Sequence, residues 1–166
     1  MASGPLTSTD YWESLRTLTK RLERDLEDVY ASQGVTDLRP RYVPALLALG
    51  ASQPLTITEL AASSAVTHSA MSQTVSSLQR VQYVALENGS DGRTRLVHLT
   101  AKGKEVLSIV QAEWTATEAA LQEIDSELPY SFQQVVRDLD AATSRLSLRN
   151  RVLARMHRVV NESDED

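Results

Sequence analysis

The chain has 166 residues, no cysteine, 17 Lys and Arg against 22 Asp and Glu, and a formal net charge of −5. The lack of cysteine excludes disulfides, thiolate nucleophiles, cysteine-type zinc sites and thiol redox sensing. The longest apolar run, Val43 to Ala51, is far short of the roughly 20 residues that cross a bilayer, and the first residues lack the basic and apolar regions of a signal peptide, so no membrane contact and a cytoplasmic location are expected.

The first periodic segment, from about Thr9 to Ser32, repeats Leu15, Leu18, Leu22, Leu26 and Val29 at three-to-four spacing and reads as an amphipathic helix ending at Gly34. A short apolar helix follows from about Arg41 to Gly50, with Pro40 and Pro44 in or near its first turn, and Ser52 to Pro54 breaks the chain. Two closely spaced helices come next. Thr58 is read as the N-cap of the first, with Glu59 beside it, and Thr67 as the N-cap of the second. The three residues Ser64, Ala65 and Val66 between them suit a helix-turn-helix.

The turn formers Asn88 to Gly92 lie between Tyr83–Glu87 and Arg95–Leu99, which reads as a β-hairpin with a polar tip. Thr100 then caps a long helix carrying Leu107, Val110, Trp114, Leu121, Ile124 and Leu128. After Pro129, Phe132, Leu139, Leu146, Leu153 and Val160 recur every seven residues, close to a heptad seam. An unbroken helix there would be about 45 Å long; the alternative is a break near Ser147 to Asn150. Residues 161–166 read as an acidic, disordered tail.

Charge is unevenly spread along these elements. Between Arg39 and Lys104 seven basic residues stand against Glu59, Glu87 and Asp91, so the middle of an acidic chain is basic. Only the local field counts within a Debye length of about 8 Å, and a basic patch on an acidic body can meet a phosphate backbone.

On the helix beginning at Thr67, Met71, Val75 and Leu78 share one side, while Ser69, Gln73, Ser76 and Arg80 project from the other with Ser72 on its shoulder. Such a small, polar face fits a major groove, where Gln or Arg pairs with base edges, and the helix start at Thr67 and His68 can meet a phosphate. A basic-tipped hairpin directly after this helix is the wing of a winged helix. Arg93 is expected in the minor groove, oriented by Asp91, with Arg95, Lys102 and Lys104 on phosphates.

The stretch from Leu55 to Leu107, and above all its "DGRTR…LTAKG" run, resembles the MarR family of transcription regulators, whose wing tip holds an Asp-x-Arg pair. The resemblance implies a mainly helical winged helix-turn-helix in a homodimer, reading palindromic double-stranded DNA as a repressor, and often a phenolic or lipophilic effector that weakens binding. It implies a dimerisation helix over residues 1–38, the DNA-binding region over 39–104 and dimerisation helices over 105–160. Tyr11, Trp12, Tyr42 and Trp114 are the candidate effector residues on the same ground. Gln73, Ser76 and Gln82 depart from the Arg, Asp and Gly common at these places in the family.

His68, His98 and His157 lack metal-ligand spacing, and neither a nucleotide loop nor a Ser/His/Asp arrangement has local support, so no enzyme, metal or cofactor is expected. The competing reading is a winged-helix protein-interaction module that no longer reads DNA.

Overall fold

The computed structural model describes residues 11–89 and 94–163, with side chains as far as Met156. Asp91, Arg93 and His157 are therefore sequence expectations on which the structure is silent. The described residues are mainly helical, with one small antiparallel sheet. They divide into two compact units, residues 1–114 and 115–166.

In the first unit, α1 (Tyr11–Ser32) closes on Gly34, whose φ of +77° brings its N–H to the Ala31 carbonyl at 3.0 Å and the Val35 N–H to the Tyr30 carbonyl at 2.9 Å. This paired closure satisfies carbonyls that a helix end leaves bare. A 3-10 turn, Pro40–Tyr42, leads into α2 (Val43–Ala51). Strand β1 (Leu55–Thr56), α3 (Ile57–Ser63), α4 (His68–Arg80), β2 (Val84–Asn88) and β3 (Arg95–Leu99) follow.

The sheet has the order β1-β3-β2. Leu55 pairs with Val97 on one edge of β3, and the other edge runs from Val84 opposite Leu99 to Asn88 opposite Arg95. The two-residue β1 was not expected: it carries no alternating pattern and exists because β3 offers a free edge. Beyond its end, the Gln53 side-chain oxygen accepts the Leu99 N–H at 2.9 Å.

Tyr30, Leu38, Leu46, Leu49, Leu60, Leu78, Tyr83, Val97 and Val110 are all but fully buried in one core. The end of α1 and the first turns of α5 (Ala101–Glu127) thus share the core of the winged helix, which runs across the expected divisions at residues 38 and 104. Tyr30 donates its hydroxyl to the buried Glu113 carboxylate at 2.8 Å. Burial, then that bond and the carboxylate's charge, push the phenol's pKa well above its ordinary value.

In the second unit, Ser131 caps α6 (Phe132–Arg145), and Asp125 accepts from both the Ser131 hydroxyl and the Phe132 N–H. The heptad-spaced segment is not one helix. Leu146 is extended, at φ −146° and ψ 109°, and Ser147 caps α7 (Leu148–Ser163) by accepting the Asn150 N–H. Arg151 steadies the break by donating to the carbonyls of Leu146 and Ala142. Helix α7 continues to Ser163, three residues into the segment read as a disordered tail.

Candidate nucleic-acid interface

The helix pair begins with a cap two residues earlier than Thr58. Thr56 accepts the Glu59 N–H at 3.1 Å, while Glu59 accepts both the Thr56 N–H and its hydroxyl, a reciprocal pairing set by Thr-x-x-Glu spacing. These bonds, the backbone one first, hold the Glu59 carboxyl below its ordinary pKa. Between α3 and α4 the chain turns through Ala65 at φ +51°, and Thr67 caps α4 by accepting the Ala70 N–H at 3.2 Å.

The inner face of α4 is the expected one, with Met71, Val75 and Leu78 buried. Opposite them Ser69, Gln73, Ser76 and Arg80 are exposed and Ser72 is half-buried, with no acidic residue from His68 to Arg80. Ser76 spends its hydroxyl hydrogen on the Ser72 carbonyl at 2.9 Å and can only accept from a ligand. At the C-terminus Gln82 takes φ +64°, so Gln fills the left-handed place where the family commonly has Gly.

The wing base comes to the start of α4. Thr58, His68, Thr94 and Arg95, with Thr56 and Ile57, line a cleft of about 280 Å³. The sequence reading included His68 and Arg95 but missed Thr58 and Thr94 as site residues. Their small hydroxyl side chains give no periodic signal, and only the fold brings them together. Glu87 reaches across the hairpin to His98, at 3.6 Å. Lys104 is exposed in the first turn of α5.

A second cleft, of about 320 Å³, runs along α4 and is lined by Arg41 together with Gln73, Thr74 and Ser77. Arg41 stands over the Tyr42 ring and donates to its hydroxyl at 3.3 Å. Burial favours the neutral phenol, but bonds from Arg41 and Ser77 and the nearby positive charge outweigh it and lower the Tyr42 pKa. Arg41 belongs to the basic middle of the sequence, yet nothing local marked it as a neighbour of Gln73.

The Lys102 ammonium, expected on a phosphate, lies 3.0 Å from Asp37, 3.0 Å from the Val81 carbonyl and 4.8 Å from the Tyr83 ring centroid. The four candidate effector aromatics differ in exposure. Tyr42 sits in the core at 6% exposure, whereas Tyr11, Trp12 and Trp114 keep 91%, 59% and 46% of their surface. A helical pattern distinguishes inner from outer faces, but it does not show which aromatics share a neighbour. Among the described residues no metal-binding cluster occurs.

Residues 35–94 match the model of the MarR family. The fold is similar to that of Staphylococcus aureus MepR in its DNA complex, with TM-score 0.64 and 18% identity over 84% of this chain and 99% of that one. It is also similar to Mycobacterium tuberculosis MosR in complex with DNA, at 0.61 and 21% over 82% and 95%. Streptomyces coelicolor PcaV with its natural ligand gives 0.58 and 19% over 86% and 99%. No curated protein sequence matches the chain.

Proposed function

We propose that this chain, whose residues 35–94 match the MarR family model, works as a regulator of that family, and that two copies of it bind a palindromic operator and repress transcription. The observation that carries the reading is the outer face of α4: exposed Ser69, Gln73, Ser76 and Arg80, free of acidic residues, beside a wing base that carries Arg95. In each copy α4 enters a major groove, where Gln73 pairs with a base edge and Ser69, Ser72 and Ser76 permit close approach. Thr67 and His68, at the start of the helix, together with Arg80, Arg95 and Lys104, meet phosphates. The wing tip enters the adjacent minor groove through Arg93, with Asp91 orienting it. That MosR and MepR were solved on DNA supports carrying this geometry over.

The same reading includes release by a small aromatic or lipophilic effector, supported by the family and by PcaV having been solved with its natural ligand. A screen of aromatic acids against Trp fluorescence and DNA affinity tests that part.

The DNA reading is tested by fluorescence anisotropy, titrating the protein against DNA upstream of its own gene and against an unrelated duplex at two salt concentrations. Nanomolar, salt-sensitive binding that prefers the upstream DNA is expected. Gln73→Ala should narrow that preference by about 1 to 3 kcal/mol at one base position. Equal, weak binding to both duplexes would overturn the reading.

A further inference from the structure

Three separate pieces of chain meet beside the end of α4: the linker after α1 through Asp37, the turn Val81–Tyr83, and the start of α5 through Thr100–Gly103. Lys102 joins them, with its ammonium on one Asp37 oxygen and on the Val81 carbonyl, each at 3.0 Å, and above the Tyr83 ring. Tyr83, fully buried, donates its hydroxyl to the other Asp37 oxygen. Thr100 donates to the Gln82 carbonyl at 2.6 Å and accepts the Gly103 N–H at 3.0 Å. Gly103 itself must lack a side chain, because a Cβ there would lie 1.9 Å from the Tyr83 carbonyl oxygen.

This junction connects α4 to the wing. The angle between them passes through a three-residue turn whose middle residue, Gln82, holds a left-handed conformation unusual for a side chain with a Cβ. The Asp37–Lys102 pair is half exposed, at 38% and 47% of its side chains, and such a pair adds little to stability. Its connections say more than its energy: both Asp37 oxygens are occupied, and the Lys102 ammonium, itself on α5, meets a carboxylate of the linker and a carbonyl and a ring of the turn.

We propose that Lys102 and Asp37 are positioning residues for DNA recognition: the brace they form fixes α4 relative to the wing, so that both reach their grooves at once. The proposal rests on the DNA-binding reading above. It assigns a role in recognition to an acidic residue that simple electrostatics would count against DNA binding.

The test uses the full-length protein and two probes, a duplex enriched by the wild type from a random pool and a random-sequence duplex of the same length. Dissociation constants are measured across a salt series with the active fraction titrated, for the wild type, Lys102→Met, Lys102→Arg and Asp37→Asn. The brace predicts that Lys102→Met and Asp37→Asn each lose at least about tenfold on the selected duplex and less than about threefold on the random one, with the salt slope unchanged. Lys102→Arg, which keeps the cation and its donors, should stay within about threefold of the wild type. A phosphate contact at Lys102 would weaken both duplexes alike and lower the salt slope by about 0.9, and Asp37→Asn would then bind no worse than the wild type; that result overturns the brace. So would unchanged constants on both probes, the mark of a residue that only supports folding. A wild type that enriches no sequence would overturn the DNA reading and the brace together, whereas enrichment with unaffected variants overturns the brace alone.

Discussion

Leu60 of α3 and Leu139 of α6 are the same side chain on two amphipathic helices, yet Leu60 is fully buried and Leu139 keeps 64% of its surface exposed. The difference extends to the regions around them. Residues up to Val110 build a core from seven helices and strands, whereas α6 buries none of its residues, and Phe132, Val135, Val136, Leu148, Val152 and Met156 all remain exposed. Amphipathic pattern makes a helix only when something covers the apolar stripe, because isolated helices of this length are marginal in water. A large exposed apolar surface marks an interaction site. A second copy of the chain is the cover that the proposed function supplies.

Gly103→Ala should break the first region most severely. In an ordinary helix this change stabilises, since Gly is the poorer helix former. Here the new Cβ would lie 1.9 Å from a backbone oxygen, so neither partner can swing aside. We expect a loss of about 3 kcal/mol or more in chemical denaturation. Unchanged stability would show that α5 does not enter as closely as described.

A matched pair sharpens the contrast. Leu60→Ala should cost roughly 2 to 5 kcal/mol whatever the protein concentration, as expected for a core cavity. Leu139→Ala should leave the winged helix intact and weaken self-association at least about tenfold, about 1.4 kcal/mol, in sedimentation equilibrium. If Leu139→Ala leaves self-association unchanged, α6 is not covered by a second copy at that position.

Asp37→Asn gives a smaller, pH-dependent effect on folding. Burial alone would raise the Asp37 pKa, but hydrogen bonds from Tyr83 and Lys102 and the lysine charge outweigh it and hold the carboxyl below its ordinary range. A carboxyl whose folded pKa lies below its unfolded value, about 3.9, stabilises fully above that value, and the stabilisation disappears as pH falls through the folded pKa. Wild type and Asp37→Asn should therefore differ in thermal stability at neutral pH, begin to converge below about pH 4, and meet once the pH is below the folded pKa of Asp37. A difference that persists there would rule out ionised Asp37 as its source.

How much of this was legible in the sequence depends on how far each feature reaches along the chain. The pair α3 and α4, the caps at Thr67 and Thr100, the hairpin and the burial of Met71, Val75 and Leu78 all follow from residues within a few positions of one another. Features settled by distant partners were not legible: β1 needs the edge of β3, Lys102 needs Asp37 sixty-five residues away, and Tyr42 is assigned to the core by packing. The break at Leu146 was foreseen only approximately, because the seven-residue repeat passes through a residue with extended backbone without a change of pattern.

The smallest predicted effect concerns helix ends, where local rule and local sequence disagree. Helices α1, α3 and α4 stop on the same paired closure, with the left-handed place held by Gly34, Ala65 and Gln82. Only the first is the residue that the conformation favours; a side chain there costs roughly 1 to 2 kcal/mol, partly offset by the greater chain entropy Gly loses on folding. Gln82→Gly should therefore raise stability by about 0.5 to 1 kcal/mol, read as a higher Tm. If the brace at Asp37 and Lys102 already holds this turn, the gain in stability should come without a gain in operator affinity. If Gln82→Gly tightens DNA binding as well, the wild-type turn was not at its DNA-competent angle, and the junction between α4 and the wing is looser than the hydrogen bonds around it imply.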